Sequence, residues 1–397
     1  MSHLHIPVEL ITNILSHLPV KPLVRFLCVS NQWYAVITNS DFIIMHLNRS
    51  IETNRERTLI LKEDDIPPPL RYFSVKFPKD NRLGKAVEIY QPLYYWDLKD
   101  QRHKWDILDY CHGLVCLYKD DDEILIWNPL IRKYRKLPNE PIEESSGFSG
   151  NMYSSLAFGH DPHKNYYKVL RVMTDDVKFE VKVYSLRSQS WKKIEERWPK
   201  KSLDSWNAKS LNGAVHWLVG DRGVLDQESL LAFDLAGHRE ISALYNAIST
   251  KSLYSDRHLE VLGGYICVIE IYMFTNDVWL MKEYGVESSW TRIYKIEQGV
   301  VPWIFEYLKP LMFSKNGKKV LLEEDQDAHT NLIWYDIEKK RCKMVKNQSF
   351  PDSFIVATCI GSLLLLDGDN VIDPGLKKKK RKRKRNQSPL ESIGSNG

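Results

Sequence analysis

The chain of 397 residues is 43% hydrophobic, 27% charged and 11% aromatic, and its formal net charge is +5. This composition is typical of a folded globular protein, and the many aromatic residues favour an extensive β-sheet core. No apolar run approaches the roughly 20 residues that span a bilayer, and Met1–Pro7 lacks the basic-then-apolar layout of a secretion signal. These features argue against a membrane protein and predict an intracellular one.

The positive charge is concentrated near the carboxyl terminus. The run Lys377–Arg385 carries nine positive charges, and Glu391 carries the one negative charge that follows it. Residues 1–376 therefore have a net charge of −3. A body of that sign argues against nucleic-acid binding on charge grounds.

The cysteines predict neither a zinc site nor a disulfide framework. No pair of Cys-x-x-Cys elements occurs, and most of the cysteines lie inside apolar runs. We expect six reduced core thiols in a reducing compartment: Cys28, Cys111, Cys116, Cys267, Cys342 and Cys359. We also expect no metal and no cofactor.

The chain opens with an apolar segment of helical periodicity between Ile6 and Ile37. Pro7 suits the first turn of a helix, and Pro19 ends that helix. Pro22 begins a second helix, and Ser30 is placed to cap a third. One apolar stripe of the first helix consists of Leu10, Ile11, Ile14, Leu15 and Leu18.

Three short helices are too small to sustain a core of their own. They nevertheless carry more large apolar side chains than they can hide from water. The pattern alone leaves two interpretations, which are a helical cap on the following domain and a docking module for a partner protein.

The segment "IPVELITNILSHLPVKPLVRFLCVSNQWYAVI" resembles an F-box, the helical module that docks on the Skp-type linker subunit of Skp–cullin–F-box ubiquitin ligases. The resemblance covers residues 4–47 and includes Arg25 and Cys28 of the core signature. It implies a set of apolar contacts to the linker: Ile6, Pro7, Leu10, Ile14, Leu18, Leu23, Val29 and Trp33. A few large apolar side chains on one helical surface are a common mode of recognition.

Beyond a polar connector near residues 48–57, two series of strand-like segments recur about every 50 residues. Glycine-led apolar strands begin at Gly113, Gly213, Gly264, Gly317 and Gly361, and "LAFG" ending at Gly159 fills the one double interval. Strands that end on an aromatic residue reach Trp127, Tyr184, Phe233, Trp279 and Tyr335. Seven positions after three of these lie further core-type residues, namely Tyr134, Trp191 and Cys342.

This period predicts a mainly β fold, a kelch-like β-propeller of about six blades over residues 58–370. Residues 64–106 fit the period worst, so five to seven blades remain open. An irregular two-sheet sandwich is the alternative architecture.

The repeating body also resembles the plant F-box-associated domain. The segments that carry the resemblance are "CHGLVCL", "IWNPLIRKYRKLP", "FGHDPHKNYYKVLRV", "VKVYSLRSQSWKKI", "LNGAVHWL" and "LLAFDL", in that order. The family includes F-box/kelch-repeat and S-locus F-box proteins. One departure is "CHGL", where the family usually has Asn before the glycine, which changes a turn.

Together the resemblances imply a non-catalytic substrate-recognition subunit of a ubiquitin ligase. Its partners would be a Skp-type linker, a cullin reached through that linker, and a target protein bound by the propeller, with no membrane and no specific nucleic acid. Charged, aromatic-containing connections predict the target surface at residues 140–153, 220–228 and 246–258. A propeller scaffold acting outside the ligase is the alternative, and a propeller enzyme is a third hypothesis.

Three motifs suggest chemistry but favour structural interpretations. Cys111 and His112 are adjacent in a predicted strand, where side chains point to opposite faces. The segment "HDPH" from His160 to His163 predicts a surface loop, because Asp-Pro marks a turn. "DDDE" at residues 120–123 lacks the ligand spacing of a calcium loop and predicts a solvated hairpin tip.

Residues 375–397 predict a disordered basic tail, because like charges repel and nothing apolar is available to bury. The basic run predicts a nuclear-import signal and a distribution between nucleus and cytoplasm. Non-specific attraction to acidic surfaces is the alternative. The run consists of Lys377, Lys378, Lys379, Lys380, Arg381, Lys382, Arg383, Lys384 and Arg385.

Overall fold

A computed structural model gives the architecture of the protein. The structure describes residues 6–53, 56–64, 71–77, 82–92, 105–119, 123–139, 153–174, 179–194, 202–203, 208–220, 228–237, 239–241, 256–272, 275–301, 305, 307–326, 329–365 and 367–370.

The amino-terminal part is a helical module, residues 6–53, made of four helices. They are α1 (Val8–Ser16), α2 (Val20–Phe26), α3 (Asn31–Thr38) and α4 (Ser40–Glu52). Pro7 and Pro19 precede the first two helices directly, and the Ser30 hydroxyl accepts a hydrogen bond from the Trp33 amide at 3.2 Å. The predicted cap of the third helix is therefore confirmed.

Helix α4 was not predicted, and the connector expected near residues 48–57 is wrong for its first five residues. The side chain of Asn39 caps α4 by accepting from the amides of Asp41 and Phe42 at 2.8 and 3.2 Å. Phe42 and Leu47 are buried on its inner face. The polar residues of its last turn look like a connector in the sequence because only one side of the helix is covered.

After the helical module, the strands of the described chain form six antiparallel sheets. The first contains β1 (Thr58–Glu63), β2 (Tyr72–Lys76), β3 (Ala86–Ile89) and β25 (Phe354–Cys359). The second contains β4 (Asp106–Cys111), β5 (Leu114–Lys119), β6 (Glu123–Asn128), β7 (Lys133–Lys136) and β26 (Asp369–Asn370). The third contains β8 (Tyr153–Asp161), β9 (Tyr166–Thr174), β10 (Phe179–Ser185) and β11 (Ser190–Ile194).

The fourth sheet contains β12 (Ser202–Leu203), β13 (Lys209–Leu211), β14 (Ala214–Gly220), β15 (Glu228–Asp234) and β16 (Arg239–Ile241). The fifth contains β17 (Asp256–Leu262), β18 (Tyr265–Tyr272), β19 (Thr275–Met281) and β20 (Trp290–Glu297). The sixth contains β21 (Leu308–Phe313), β22 (Lys319–Gln326), β23 (His329–Asp336) and β24 (Arg341–Met344). The six sheets are the blades of a β-propeller, which confirms the predicted fold and excludes the sandwich.

The first blade closes the ring by joining the two ends of the propeller. Its innermost strand is β25, which pairs with β1 from Thr58 opposite Cys359 to Glu63 opposite Phe354. This strand comes from the far end of the sequence. The blade therefore has no continuous repeat of its own, which is why residues 64–106 fit the period worst.

The two repeating patterns correspond to fixed positions in the blades. Four of the predicted glycines, Gly113, Gly213, Gly264 and Gly317, have positive φ in the turn between the first two strands. The aromatic positions Trp127 and Tyr184 pair directly across the outer hairpin with Tyr134 and Trp191, and Tyr335 pairs with Cys342. A spacing of seven residues is thus one tight hairpin seen in the sequence.

The predicted segment "LAFG" is in a strand, within β8, but β8 is the innermost strand of its blade and not the one that follows the first turn. The glycine-led strand predicted at Gly361 is wrong. Gly361 begins a non-strand segment that crosses from β25 to the outer edge of the second blade, where β26 pairs with β7. That segment is apolar because it lies under the helical module, where Leu363 has no exposed surface.

All six cysteines have free thiols. Cys116, Cys267 and Cys359 are buried, Cys111 and Cys342 are half-buried, and Cys28 is exposed, so the prediction of a core position is wrong for Cys28. Among the described residues, no helix combines the length and the apolar character that crossing a membrane requires.

Candidate functional site

The helical module carries most of the exposed apolar surface in the described part of the chain. Of thirteen large hydrophobic side chains that are exposed there, eight lie between residues 6 and 51. They are Ile6, Val8, Leu10, Ile14, Val29, Tyr34, Met45 and Ile51. A cluster of this kind on a small module is typical of a protein interaction site.

The predicted linker contacts divide into three groups. The exposed group is Ile6, Pro7, Leu10, Ile14 and Val29, and in this group Ile14 has 59% of its surface accessible. Leu18 and Trp33 are half-buried, and Leu23 is buried.

Leu23 cannot belong to a docking surface in this structure. Its side chain has no accessible surface and packs in the core of the module with Ile11, Leu15 and Ile37. Leu18 and Trp33 pack at the edge of the same core, and the Trp33 ring meets Phe26 edge-on with centroids 5.0 Å apart. Leu23 is therefore removed from the predicted contact set.

A groove in the surface of the helical module adds residues that sequence reasoning missed. It has a volume of about 470 Å³ and lies between α1, α3 and α4. Its apolar walls include Val8, Ala35 and Met45. Val8 and Met45 were missed because the pattern predicted one apolar stripe on α1 and did not predict α4.

The opposite side of the module packs on the propeller. Ile131, between β6 and β7, and Leu363 belong to the same apolar cluster as Ile11 and Leu15. The amide of Val20, at the start of α2, donates to the Glu56 carboxylate at 2.9 Å. The module therefore caps the propeller, as the first interpretation of the sequence pattern predicts, and it leaves Leu10 and Ile14 exposed. Docking on a partner protein stays a prediction.

The module lies at the propeller face that contains the turns after the innermost strands, here called the near face. Contacts at or near this end of the blades link each blade to the next. They pair His112 with His160, Pro162 with Gly213, His216 with Tyr284, Gly263 with Phe313, Phe313 with Arg57, and Ile360 with Gly113. Each innermost strand consequently starts at the opposite face, here called the far face.

The three predicted target-binding stretches are connected to the far face. β7 ends and β8 begins there, which brackets residues 140–153. β14 ends and β15 begins there, and the same holds for β16 and β17, which bracket 220–228 and 246–258. Except for residues 153, 220, 228 and 256–258, these stretches lie outside the described residues.

The sequence motifs that suggest chemistry are explained by turns and by burial. His112 is in a turn with φ of 51° rather than in a strand, and its Nδ1 lies 3.0 Å from the Tyr167 hydroxyl. Burial raises the pKa of the Cys111 thiol above its ordinary range, which disfavours the nucleophilic thiolate. Within the described ranges, no group of three or more His, Cys, Asp or Glu side chains is arranged to hold a metal ion.

The prediction of a surface loop at "HDPH" is wrong for Asp161. Pro162 and His163 are exposed, but the Asp161 carboxylate is fully buried, accepts from the amides of His163 and Lys164, and pairs with Lys168 at 3.0 Å. Residues 120–122 of "DDDE" and the whole basic run 377–385 lie outside the described residues.

Comparison with known proteins gives two matching family models. The F-box associated beta propeller domain matches residues 70–364, and the F-box domain matches residues 3–45. The chain is 28% identical over 383 residues to F-box protein CPR1 of Arabidopsis thaliana. This alignment covers 91% of this chain and 89% of the relative. It is also 28% identical over 326 residues to an Arabidopsis thaliana F-box/kelch-repeat protein, covering 80% of this chain and 85% of that one.

Among solved structures, TolB from Acinetobacter baumannii aligns over 84% of this chain and 73% of its own length. The TM-score is 0.44 and the sequence identity is 11%. This likeness is too distant to inform function.

Proposed function

The chain belongs to the F-box-associated β-propeller family, and from this membership we propose that it is the substrate-recognition subunit of a Skp–cullin–F-box ubiquitin ligase. In this hypothesis the helical module docks on a Skp-type linker, through which a cullin is reached. The propeller holds the target protein. The chain contributes proximity rather than a catalytic residue, because holding a target lysine near the charged enzyme raises its effective concentration.

The observation that carries the proposal is the free apolar stripe of the helical module. Leu10 and Ile14 lie one turn apart on α1 with 54% and 59% of their surfaces accessible, although the module already packs its other side on the propeller. Burying both side chains against a partner would contribute several kcal/mol, at roughly 1.5–3 kcal/mol each. This surface supports docking without any rearrangement of the module core.

A pull-down with a purified Skp-type linker tests the proposal. The double variant Leu10→Asp with Ile14→Asp should lose binding by at least about 100-fold, because two charges would be buried without partners. Its circular dichroism spectrum and unfolding midpoint should stay close to those of the wild type, since both residues are exposed.

Val87→Asp is the matched control, because Val87 is 61% exposed on β3 of the propeller. This control should bind the linker like the wild type. Full linker binding by the Leu10/Ile14 variant would reject the assigned surface. A wild-type chain that fails to bind the linker would favour a propeller scaffold that acts outside a ligase.

We place the target-binding surface on the far face of the propeller, as part of the same proposal. The strand ends that bracket residues 140–153, 220–228 and 246–258 share that face. Affinity capture while cullin activity is blocked should accumulate target proteins on the wild type. Replacing residues 141–150 by a Gly/Ser segment of equal length should reduce their recovery, whereas equal recovery would move the surface elsewhere.

The basic run Lys377–Arg385 is proposed as a nuclear-import signal, and the protein is proposed to distribute between nucleus and cytoplasm. Nine consecutive basic residues offer a dense positive charge for an import receptor. A fluorescent fusion should be found in both compartments. Substituting Ser for all nine residues should remove it from the nucleus, and an unchanged distribution would contradict this role.

A further inference from the structure

The propeller axis contains a cavity with several charged residues in its walls, and the ligase hypothesis does not use it. Its volume is about 340 Å³, which is within the range of small-molecule sites. Its walls come mainly from the first halves of innermost strands, so it lies toward the far face. The charged residues among its described lining are Asp109, Lys209, Glu260, Lys309 and Glu323, with His258, Tyr110 and Tyr307 beside them.

Two ion pairs account for four of the five charged residues. Lys209 of the fourth blade meets Glu260 of the fifth with Nζ and Oε2 3.1 Å apart. Lys309 meets Glu323 with Nζ and Oε2 2.9 Å apart, and Lys309 also donates to the carbonyl of Val356 at 3.3 Å. The lining thus offers two ammonium groups for three carboxylates.

Asp109 is the carboxylate left over. It is 7% exposed and accepts from the amide of Tyr110 at 2.8 Å and from the amide of Ser210. It forms no ion pair with another of the described residues, although the charge of Lys209 acts on it. Elsewhere in the lining, the Tyr307 hydroxyl is buried and has no hydrogen-bond partner in the described structure. A buried carboxylate whose nearby ammonium group, Lys209, is already paired with Glu260 costs stability, as does a buried hydroxyl without a partner.

Local backbone irregularities accompany these groups. The register of β4 shifts between Ile107 and Asp109, and that of β21 shifts between Pro310 and Met312, next to Lys309. β-bulges add one residue to a strand and redirect the side chains around them, and they recur beside functional sites. The bulges support a site shaped to present charge to the axis.

We propose that the axial cavity binds a small organic cation, presenting an ammonium or guanidinium group, with the Asp109 carboxylate as its counter-ion. The cation supplies the positive charge that the lining lacks, and its N–H groups have the Tyr307 hydroxyl oxygen as a further acceptor. This site goes beyond the ligase hypothesis and does not depend on linker binding by the helical module.

The ionisation of Asp109 should control binding. Burial raises the pKa of Asp109 to about 7, and Lys209 opposes that effect. A cation favours the ionised carboxylate, so affinity should be higher at pH 8 than at pH 6, and binding near pH 6.5 should release a proton. The other titratable and charged groups that face the cavity are Tyr110, Lys209, His258, Glu260, Tyr307, Lys309 and Glu323.

Calorimetric titration of the full chain with butylguanidine and butylamine tests the site. Both cations should bind once per chain at pH 8, and about tenfold more weakly at pH 6, because a carboxyl with a pKa of about 7 is about tenfold less ionised there. Butyramide and butyrate, which match the chain length without the positive charge, should not bind. No saturable binding of either cation would overturn the proposal.

Asp109→Asn keeps the shape of the side chain and removes its charge, so affinity for both cations should fall at least tenfold. Asp367→Asn is the control, because the Asp367 side chain is 77% exposed at the surface, and it should bind like the wild type. Undiminished binding by Asp109→Asn would overturn the proposal. Should that variant fail to fold, equal affinity at pH 6 and pH 8 in the wild type would overturn it instead.

A blocked Gly-Arg-Gly peptide distinguishes two sources of the cation. Binding of the peptide that is equal to or tighter than that of butylguanidine, with the same dependence on Asp109, would assign the cation to a protein side chain. Binding of the free cations alone would assign it to a small molecule. Both results support the chemistry of the site.

Discussion

Gly113 shows how a single position determines the fit between blades. Its φ is +84°, and a Cβ at this position would overlap the backbone carbonyl oxygen of Ile360, just after β25. Gly264 has the same turn position in another blade and a φ of +87°, but a Cβ there would meet nothing within 4 Å. The two glycines therefore share their backbone conformation and differ in their surroundings.

This difference gives a prediction with a built-in control. Gly264→Ala should lower the free energy of unfolding by about 1–2 kcal/mol, the cost of placing a Cβ in the left-handed region. Gly113→Ala should lower it by at least about 1 kcal/mol more, because the backbone of the adjoining segment must move. Urea unfolding of the two variants measures both quantities, and equal losses would contradict the close approach.

The docking residues show what the sequence can predict at this scale. The F-box resemblance implied that Leu10, Ile14 and Leu23 contact the linker. Leu10 and Ile14 are exposed in the structure, but Leu23 is not. Leu23 is buried because α2 turns that side toward α1 and α3. A helix with apolar residues on two sides does not reveal from its own sequence which side its neighbours cover.

At the scale of elements, β25 is the strand that completes the first blade and closes the ring. Its removal would leave β1 unpaired on one side and uncover Leu59, Leu61 and Val75, which pack against Phe354 and Val356. Losing the two large side chains alone forfeits roughly 3–6 kcal/mol, which is comparable with the total stability of many domains.

A chain truncated after Pro351 should therefore aggregate or unfold below the temperature at which the full chain is stable. A chain truncated after Asn370 keeps β25 and β26, and should unfold at the same temperature as the full chain. Size-exclusion chromatography and thermal unfolding followed by circular dichroism measure both. A monomeric, cooperatively folded chain ending at Pro351 would contradict the role of β25.

The elements that the sequence predicted are those whose neighbours are close in the chain. The outer hairpins followed from a seven-residue spacing, since Trp127 and Tyr134 pair directly. The sequence did not predict which strands form the first blade, because β1 and β25 are separated in the sequence by nearly the whole propeller. Helix α4 was missed for a different reason, since the polar residues of its last turn were interpreted as part of a connector.

At the scale of the whole molecule, buried histidines should make stability depend on pH. Burial lowers the pKa of His112 and of His216 to about 4, and it also lowers the pKa of His46 and His160. These rings are neutral when folded and take up protons near pH 6.5 when unfolded. Their contribution to the free energy of unfolding is complete above pH 6.5 and is lost as the pH falls toward 4.

Asp109 acts in the opposite direction, because its pKa of about 7 keeps it protonated in the folded chain after the unfolded chain has released that proton. Burial also raises the pKa of Glu323, which acts in the same direction as Asp109. The four histidines outnumber these two carboxyls, so unfolding should take up a net proton. The free energy of unfolding should then fall by about 1.4 kcal/mol per pH unit for each net proton between pH 6.5 and pH 4.

Urea unfolding at several pH values checks this expectation. His216→Gln should reduce the slope by about one proton, because the buried imidazole between the Lys209 carbonyl and the Tyr284 hydroxyl no longer titrates. Ser188→Ala alters an exposed turn residue that carries no titratable group and should leave the slope unchanged. A stability that is independent of pH over this range would contradict the assignment.

The pairing of β1 with β25 also constrains how the protein is made. A ribosome delivers β1 early, but the segment that must lie beside it emerges only after the other five blades have been synthesised. During that interval the nascent chain presents an open sheet edge, a feature that invites aggregation. Completion of the ring therefore has to await the release of the last part of the polypeptide.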